Sequence, residues 1–233
     1  MSTQKSKKVK EVKGVEALAS TKYLSLYKIT YTDGSTWIVA SRRQPNELMA
    51  VNAGCAVDTV TVIPIIRDKN GREYVMLTRE RRDAVNEYIW SFPSGLVERG
   101  EDPENAVRRE LQEETGASQL ESIQQISPPC LKSEGMTDES VVMFKAVVTM
   151  VEEQDLQDNE DIDVMYIPID EIPQALQEIE KNGETLSLIA AAYLPGLYNE
   201  HVLNERIREL EEQVAQLEGK DSNTTPSQPP HNK

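Results

Sequence analysis

The sequence has only two histidines among its 233 residues, His201 and His231, and both lie in its last 33 positions. A Ser–His triad and a histidine-bound zinc site both need imidazole groups, so this scarcity argues against either. Cys55 and Cys130 show no metal-binding or redox spacing. Free thiols are the simpler interpretation, and a single disulfide between them stays open. Acid–base chemistry must therefore fall to carboxylates.

The chain also lacks an apolar run of transmembrane length, and its first residues, MSTQKSKKVKEVKG, lack the apolar core of a signal peptide. We therefore expect a cytoplasmic protein with no membrane partner. The 25 basic residues are outnumbered by 40 acidic ones, which gives a net charge of −15. This balance argues against nucleic acid as a general partner, since such binding needs a basic footprint.

What the chain does have is a cluster of acidic residues within 95–117, GLVERGEDPENAVRRELQEETGA. Glu101 lies on an entry loop, and Glu110, Glu113 and Glu114 follow in one short helix. Because positions three and four apart share a helix face, these three carboxylates should crowd together at a cost that a cation would relieve. Hard cations such as Mg²⁺ prefer oxygen ligands and bridge carboxylates to phosphates. The alternative is a solvated acidic face, as in most charge runs.

The local sequence defines the ends of this helix. Asp102 suits the N-cap and Pro103 the first helical position, whereas Gly116 predicts the end of the helix. Arg109 can reach Glu113 one turn later and hold its carboxylate. An apolar stripe would face the core and consists of Ala106, Val107 and Leu111. The sequence thus predicts a helix over 103–115 that carries its carboxylates on one side.

The complete pattern is Gly95, five residues, Glu101, seven residues, and then Arg109-Glu110-Leu111-x-Glu113-Glu114-x-Gly116. This pattern resembles the signature of the Nudix hydrolases, which cleave a nucleoside diphosphate linked to another moiety. Every invariant position of the signature is filled, and the one departure is Ala117, where the family usually has a larger aliphatic residue. The resemblance implies an α/β fold, a Nudix-type α/β/α sandwich with a mixed sheet, and metal-assisted attack of water on phosphorus.

The resemblance also implies roles for the motif residues. Glu110 and Glu114 match the most regular metal ligands of the family, Glu113 lies near metal and reaction centre, and the carbonyl of Ser94 completes the shell. The implied cofactor is Mg²⁺, with Mn²⁺ as an alternative. Arg109 and Glu113 join the catalytic group, and the loop around the site is shaped by three further residues, which are Gly95, Glu101 and Gly116.

Three other stretches are similar to parts of the ADP-ribose and ADP-sugar pyrophosphatases within that family. In the loop 133–139, Glu139 matches an acidic residue that acts on the attacking water or binds metal, with Glu134 and Asp138 as alternatives. In the stretch 79–82, Arg82, or Arg79 before it, matches an arginine that grips the diphosphate. Trp37 matches a tryptophan that stacks on adenine. The corresponding alternatives are an acidic surface loop, solvated charges at a strand end, and simple packing of the tryptophan.

Over the whole chain, the sequence predicts five segments. They are a flexible N-terminus at 1–20, a β-hairpin element at 21–52, a Nudix domain at 53–198, an amphipathic helix at 199–219 and a disordered tail at 220–233. In the hairpin, Tyr23, Tyr27, Ile29 and Tyr31 alternate on one face, and Asp33-Gly34 predicts the turn. Because a lone hairpin is marginally stable, we expect it to dock on another chain or domain, and the resemblance implies exchange across a homodimer.

The predicted strands of the main domain cover 57–66, 72–79, 87–92, 120–127, 139–150 and 162–168, and further helices cover 170–181 and 184–193. After Pro195-Gly196, apolar residues recur at steps of four and three. This repeat predicts a short coiled-coil seam, and a helix packed on its own domain explains it equally well. The seam consists of Leu203, Ile207, Leu210, Val214 and Leu217.

The leading hypothesis is Mg²⁺-dependent hydrolysis of a nucleoside diphosphate sugar, with ADP-ribose giving AMP and ribose 5-phosphate. Hydrolysis of a nucleoside triphosphate or a dinucleoside polyphosphate is the alternative within enzymes. A hypothesis of another class is a ligand-sensing or scaffold protein that acts through its C-terminal helix. Intact Arg109, Glu110, Glu113 and Glu114 argue against it.

Overall fold

The computed structural model describes residues 9–52, 54, 57–156 and 161–221, without the side chains of 218–221. Contacts divide the chain into two compact units. The first unit runs to Arg67 and continues over Phe92–Ile162, and the second comprises Asp68–Ser91 and the chain from Asp163 onward. This division does not follow the boundaries expected at 52 and 198, which stay predictions.

The first unit begins with a three-stranded antiparallel sheet. Strand β1 spans Val12–Ser20, β2 spans Ser25–Tyr31 and β3 spans Thr36–Ser41, with β2 in the middle. The prediction of a flexible N-terminus is wrong for 12–20, because these residues pair with β2 along its whole length. The predicted hairpin of two strands, β2 and β3, is therefore part of a three-stranded sheet that also includes β1. The turn after Tyr31 forms as expected, with Gly34 at φ 85°.

One face of this small sheet is buried, and alternate residues of β2 lie on it. Tyr27 and Ile29 pack with Val39 and Leu48, and Tyr31 packs against the same cluster. Tyr23, which the alternating pattern placed on this face, is instead exposed and lies before β2 begins. The alternation of β2 does not reach Tyr23, because residues 21–24 form a turn in which the amide of Thr21 donates to the carbonyl of Leu24.

A second group of strands in the first unit surrounds β4, Thr59–Arg67. The strand β7, Ser94–Leu96, pairs with β4 in the antiparallel sense, and β10, Ser140–Val151, pairs with it in parallel. Two more strands pair with β10 and are β8, Ala117–Gln125, and β9, Cys130–Leu131. Most of β4 is buried, as its nearly continuous apolar sequence predicts for a strand covered on both faces.

Helix α1, Pro103–Thr115, forms over the predicted residues. Asp102 is the N-cap and accepts a hydrogen bond from the amide of Glu104, and Gly116 ends the helix in the left-handed region. The stripe Ala106, Val107 and Leu111 is fully buried, and α1 contacts β4, β7 and β8. Strands around a central parallel pair, with this helix, confirm the predicted α/β class with a mixed sheet.

The second unit contains the hairpin of β5, Glu73–Arg82, and β6, Glu87–Ser91. Two more strands pair with them: β11, Ile162–Pro168, pairs with β5, and β12, Thr185–Leu186, pairs with β6 in parallel. The short helix at Ile169–Glu171 leads into α2, Ile172–Lys181. The strands β6 and β11 agree with the predicted segments, whereas β5 runs on to Arg82, beyond its predicted end at 79, and β12 was not predicted.

The last element of the second unit is α3, Leu188–Asp221. The helix predicted at 184–193 is wrong at its start, since β12 occupies that position. The helix predicted at 199–219 is not a separate element, because α3 continues through Pro195. Burial of Leu194 and Leu197 on either side holds the helix together despite the proline, which normally costs about 3 kcal/mol in a helix interior.

The seam residues of α3 are exposed, so the structure does not show the alternative in which they pack on their own domain. The tail predicted to be disordered lies outside the described residues from 222 onward, as do Cys55 and residues 1–8. Cys130 is a free, exposed thiol. Among the described helices, none is both long and apolar enough to cross a membrane.

Candidate active site

The acidic face of α1 is unusual in being mostly buried. Glu110 and Glu114 lie one turn apart and are only 8% and 7% exposed. A buried carboxylate is costly unless charges or hydrogen bonds compensate it. The solvated acidic face that was the alternative interpretation is therefore not what these two residues form. Their burial follows from the apolar stripe of α1, which presses the same side of the helix against the strands.

Arg109 lies at the centre of the cluster. Its Nη1 donates to Glu110 Oε1 at 2.6 Å and to Glu113 Oε2 at 3.3 Å. Its Nη2 donates to the carbonyl of Leu96 at 2.8 Å and to Glu101 Oε2 at 3.2 Å. The contact with Glu113 is the one that the spacing predicted, and the others tie the helix to the entry loop. A planar guanidinium with five donors suits this position, whereas a lysine ammonium could not span it.

Glu101 holds the entry loop in place. Its carboxylate accepts a hydrogen bond from the amide of Glu98 at 2.8 Å in addition to the two from Arg109. The hydrogen bonds from Arg109 keep the pKa of Glu101 below its usual range, and those to Glu101 raise the pKa of Arg109. These contacts tie the entry loop to α1, and the loop-structuring role of Glu101 stays a prediction.

Strand β7 brings backbone directly against the two buried carboxylates. The amide of Ser94 donates to Glu114 Oε2 at 3.2 Å. A Cβ atom built on Gly95 would lie 1.9 Å from Cδ and Oε1 of Glu110, so only glycine leaves room for that carboxylate. The pairing of β7 with β4 sets this close approach. The structure thus gathers Ser94, Gly95, Glu110 and Glu114 at one place.

The donor set of this place fits a hard divalent cation, because it consists of carboxylate oxygens with a backbone carbonyl nearby. Among the described residues, however, no three His, Cys, Asp or Glu side chains are already grouped as ligands. Arg109 accounts for part of this, since it neutralises Glu110 and Glu113 as a cation would. Glu110, Glu113, Glu114 and the Ser94 carbonyl are the groups that could hold the metal once those ion pairs exchange.

Glu139 lies just before β10 in a basic setting. It accepts from Arg42 Nε at 3.1 Å and pairs with Lys132 Nζ at 3.1 Å. Burial raises the pKa of Glu139, but Lys132 and Arg42 outweigh burial and lower it. Of the two alternatives to Glu139, Asp138 accepts a hydrogen bond from the amide of Met49 at 3.1 Å and so connects two loops. Glu134 is exposed.

The sheet register places Glu139 at the same end of β4 as β7, the strand that contains Gly95. Val141 is opposite Thr59, and Thr59 is opposite Leu96 on the other side of β4. Neighbouring strands lie about 4.8 Å apart, so the start of β10 is roughly 10 Å from β7 across this edge. Glu139 and β7 therefore lie at the same end of β4, on either side of that strand.

The N-terminal sheet is bound to this same edge by contacts that the sequence did not reveal. Arg43 pairs with Asp58, and the side chain of Asp58 accepts from both the amide and the hydroxyl of Ser140 at 2.8 and 2.9 Å. The amide of Ala40 donates to the carbonyl of Met136. Local spacing does not indicate contacts of this kind, since Asp58 and Ser140, for example, are 82 positions apart.

Trp37 is 53% exposed on β3. Its neighbour along the strand, Ile38, is equally exposed on the opposite face. A tryptophan that simply completed the core would be covered, so packing does not explain Trp37 in the described part of the chain. Its indole remains available for a flat partner such as a base.

The two arginines predicted to grip the diphosphate belong to the second unit. Arg82 is half exposed at the end of β5 and pairs with Glu80 at 2.6 Å. Arg79 pairs with Glu184 at 3.2 Å, and its guanidinium lies over the rings of Tyr88 and Trp90. Arg82 is thus the more accessible of the two, and Arg79 is held by aromatic and acidic neighbours.

Comparison with known proteins identifies the protein family to which a chain with this acidic site belongs. Residues 57–188 match the family described as the NUDIX domain, so the chain belongs to that family. An ADP-ribose pyrophosphatase of Saccharomyces cerevisiae is 27% identical over 197 residues, which cover 80% of this chain and 83% of the yeast protein. An ADP-sugar pyrophosphatase of Mus musculus is 33% identical over 115 residues, covering 49% and 51% of the two chains.

A solved structure titled as that of an ADP compounds hydrolase has the same fold, with a TM-score of 0.57 at 17% identity. It covers 87% of this chain, and 98% of that protein is matched. The predicted resemblance to Nudix hydrolases, the fold class and the assignment as a pyrophosphohydrolase enzyme are confirmed. Family membership also supports a divalent metal ion as the cofactor.

Proposed function

We propose that the protein hydrolyses the pyrophosphate bond of a nucleoside diphosphate sugar in the presence of Mg²⁺, with ADP-ribose giving AMP and ribose 5-phosphate. The observation that carries this proposal is the pair of buried carboxylates, Glu110 and Glu114, against the backbone of Ser94 and Gly95. Relatives named for ADP-ribose and ADP-sugar hydrolysis support the substrate class.

Each part of the site has a task in this reaction. Glu110, Glu113, Glu114 and the Ser94 carbonyl would hold Mg²⁺, or Mn²⁺ in its place. A metal bound there would activate water and neutralise charge on the diphosphate. Arg109 keeps the carboxylates of α1 oriented before substrate arrives.

Glu139 would accept the proton of the attacking water. Lys132 and Arg42 keep its carboxylate ionised at neutral pH, which a proton acceptor requires. Arg82 would bind a phosphate oxygen pair, and Arg79 supports it from the same strand. Trp37 would stack on the adenine. A homodimer in the cytoplasm completes the proposal.

The substrate is tested with a panel of nucleoside diphosphate derivatives incubated with Mg²⁺, with the phosphomonoester products separated by chromatography. We expect ADP-ribose to give the highest kcat/KM. Preference for a nucleoside triphosphate or a dinucleoside polyphosphate would reject the substrate while leaving the family chemistry intact. Absence of turnover on every compound would favour the scaffold hypothesis instead.

The role of Trp37 is tested by Trp37→Ala, with Ile38→Ala as the matched control on the opposite face of β3. Loss of a stacking contact costs about 1–3 kcal/mol, so KM for ADP-ribose should rise roughly 5-fold to 150-fold. Because both side chains are exposed, neither change should alter the free energy of unfolding much. Equal kinetics of the two variants would show that Trp37 does not touch the base.

A further inference from the structure

Helix α3 carries an apolar stripe with no partner in the described part of the chain. Its five large side chains are between 44% and 64% exposed. They are Leu203, Ile207, Leu210, Val214 and Leu217. The stripe is about 21 Å long at 1.5 Å per residue, and water faces it along its full length. Five aligned apolar side chains on an otherwise charged helix indicate a surface that is covered in the assembled protein.

The residue types along the stripe specify what covers it. In the heptad repeat, the steps of four and three place the β-branched Ile207 and Val214 at a positions. All d positions are leucine: Leu203, Leu210 and Leu217. β-Branched residues at a with leucine at d favour two parallel strands over higher oligomers. A helix that packs on a globular surface has no such need for two residue shapes in alternation.

Charges beside the stripe agree with a parallel pair. Arg206 is at a g position and Glu211 at the following e position, five residues later. In a parallel coiled coil, these are the positions that meet across the interface, so each Arg206 would face Glu211 of the other copy. An antiparallel pair brings g positions together and offers Arg206 only another Arg206 or Gln213. Arg206 now bonds to Glu209 at 2.7 Å, an exposed contact that is easily exchanged.

We propose that the exposed stripe of α3 binds the same stripe of a second copy of this chain, in a parallel and in-register two-stranded coiled coil. The interface joins Leu203 to Leu203 and Leu217 to Leu217, with two Arg206–Glu211 pairs at its margins. The proposal depends on the exposure and the residue pattern of α3 and not on the reaction at α1. Two heptads alone are short for an independent coiled coil, so the full chain is the object to test.

Disulfide trapping in the full chain tests the alignment. Leu203→Cys is introduced into a protein whose own cysteines are changed by Cys55→Ser and Cys130→Ser. Bridged cysteines need Cα atoms within about 7 Å, which a parallel pair provides and an antiparallel pair, with these atoms about 20 Å apart, does not. We expect rapid oxidation to a covalent dimer. The control Glu212→Cys, on the outer face of the helix, should cross-link at least ten times more slowly.

Two results would overturn the proposal. One is equal cross-linking of Leu203→Cys and Glu212→Cys. The other is faster cross-linking in a mixture of Leu203→Cys with Leu217→Cys than in either alone, which would show an antiparallel pair. Hydrolysis measured on the reduced variants reports separately on the active site, so failure of this interface and failure of the proposed function are distinguishable.

Charge reversal supplies a second, independent test in the Leu203→Cys protein. Arg206→Glu and Glu211→Arg should each slow cross-linking several-fold, because each places like charges opposite one another. The double variant should restore the original rate, since it recreates the pair with its signs exchanged. A double variant as slow as the single ones would contradict the parallel register, because it would show that these two residues do not meet.

Discussion

Replacing Gly95 by alanine should disable the site while leaving the protein folded. The added Cβ would lie 1.9 Å from both Cδ and Oε1 of Glu110, and 2.2 Å from its Oε2. The backbone of Gly95 is not in the left-handed region, so alanine meets no conformational strain there. The collision falls on the end of one side chain, and the carboxylate has to move.

The size of the effect follows from this distance. An ordinary van der Waals contact begins near 3.4 Å, so the carboxylate of Glu110 must retreat by about 1.5 Å. Misplacement of a reacting or binding group by about 1 Å costs roughly 100-fold in rate. We therefore expect kcat/KM to fall at least 100-fold. The free energy of unfolding should fall by only about 1–2 kcal/mol, because the hydrogen bond from Arg109 to Glu110 is weakened.

The assay compares steady-state hydrolysis of ADP-ribose and urea unfolding of the same variant. Gly14→Ala in β1 is the matched control, because a Cβ there meets nothing within 4 Å and should leave both measurements unchanged. Wild-type turnover by Gly95→Ala would refute the reasoning, since the carboxylate of Glu110 would then not be needed where the structure places it.

Three further predictions concern the stability of the loop and helix. Arg109→Lys should lower the free energy of unfolding by about 2 kcal/mol in urea titrations, because an ammonium cannot keep the contacts with Glu101 and the other acceptors together. Glu101 has a lowered pKa in the folded state, so its contribution is present above its ordinary value of 4.5 and is lost as the pH falls through the lower folded value. Glu101→Gln should therefore flatten the loss of stability below pH 4.5, and an unchanged pH profile would contradict this. Gly116→Ala should cost about 2 kcal/mol or more, because φ is 71° and a Cβ would lie 2.1 Å from the carbonyl oxygen of Glu152; thermal unfolding equal to wild type would show that the backbone adapts.

Local signals predicted the parts of the structure that depend on neighbouring residues. The bounds of α1 agree with the sequence at both ends, because Asp102, Pro103 and Gly116 act within one turn of the helix. The contact from Arg109 to Glu113 is also local, since it spans one helical turn. A cap, a left-handed glycine and an i,i+4 pair all have their causes in the sequence beside them.

Features set by distant partners could not be predicted in this way. Strand β1 is mostly exposed and is ordered by pairing with β2. The ion pair between Arg42 and Glu139 joins residues 97 positions apart. Helix α3 continues through Pro195 because burial of its first turns outweighs the penalty that local rules assign to proline.

The most direct test of the central claim is the hydrolysis of ADP-ribose with Mg²⁺ by the wild type, Glu114→Gln and Glu104→Gln. Glutamine at 114 can still accept the hydrogen bond from Ser94 but brings no charge to the metal, whereas Glu104 is exposed at the start of the same helix. We predict AMP and ribose 5-phosphate from the wild type and from Glu104→Gln, and a loss of at least 100-fold in Glu114→Gln, which should still unfold cooperatively. Equal turnover by Glu114→Gln and Glu104→Gln would contradict the account.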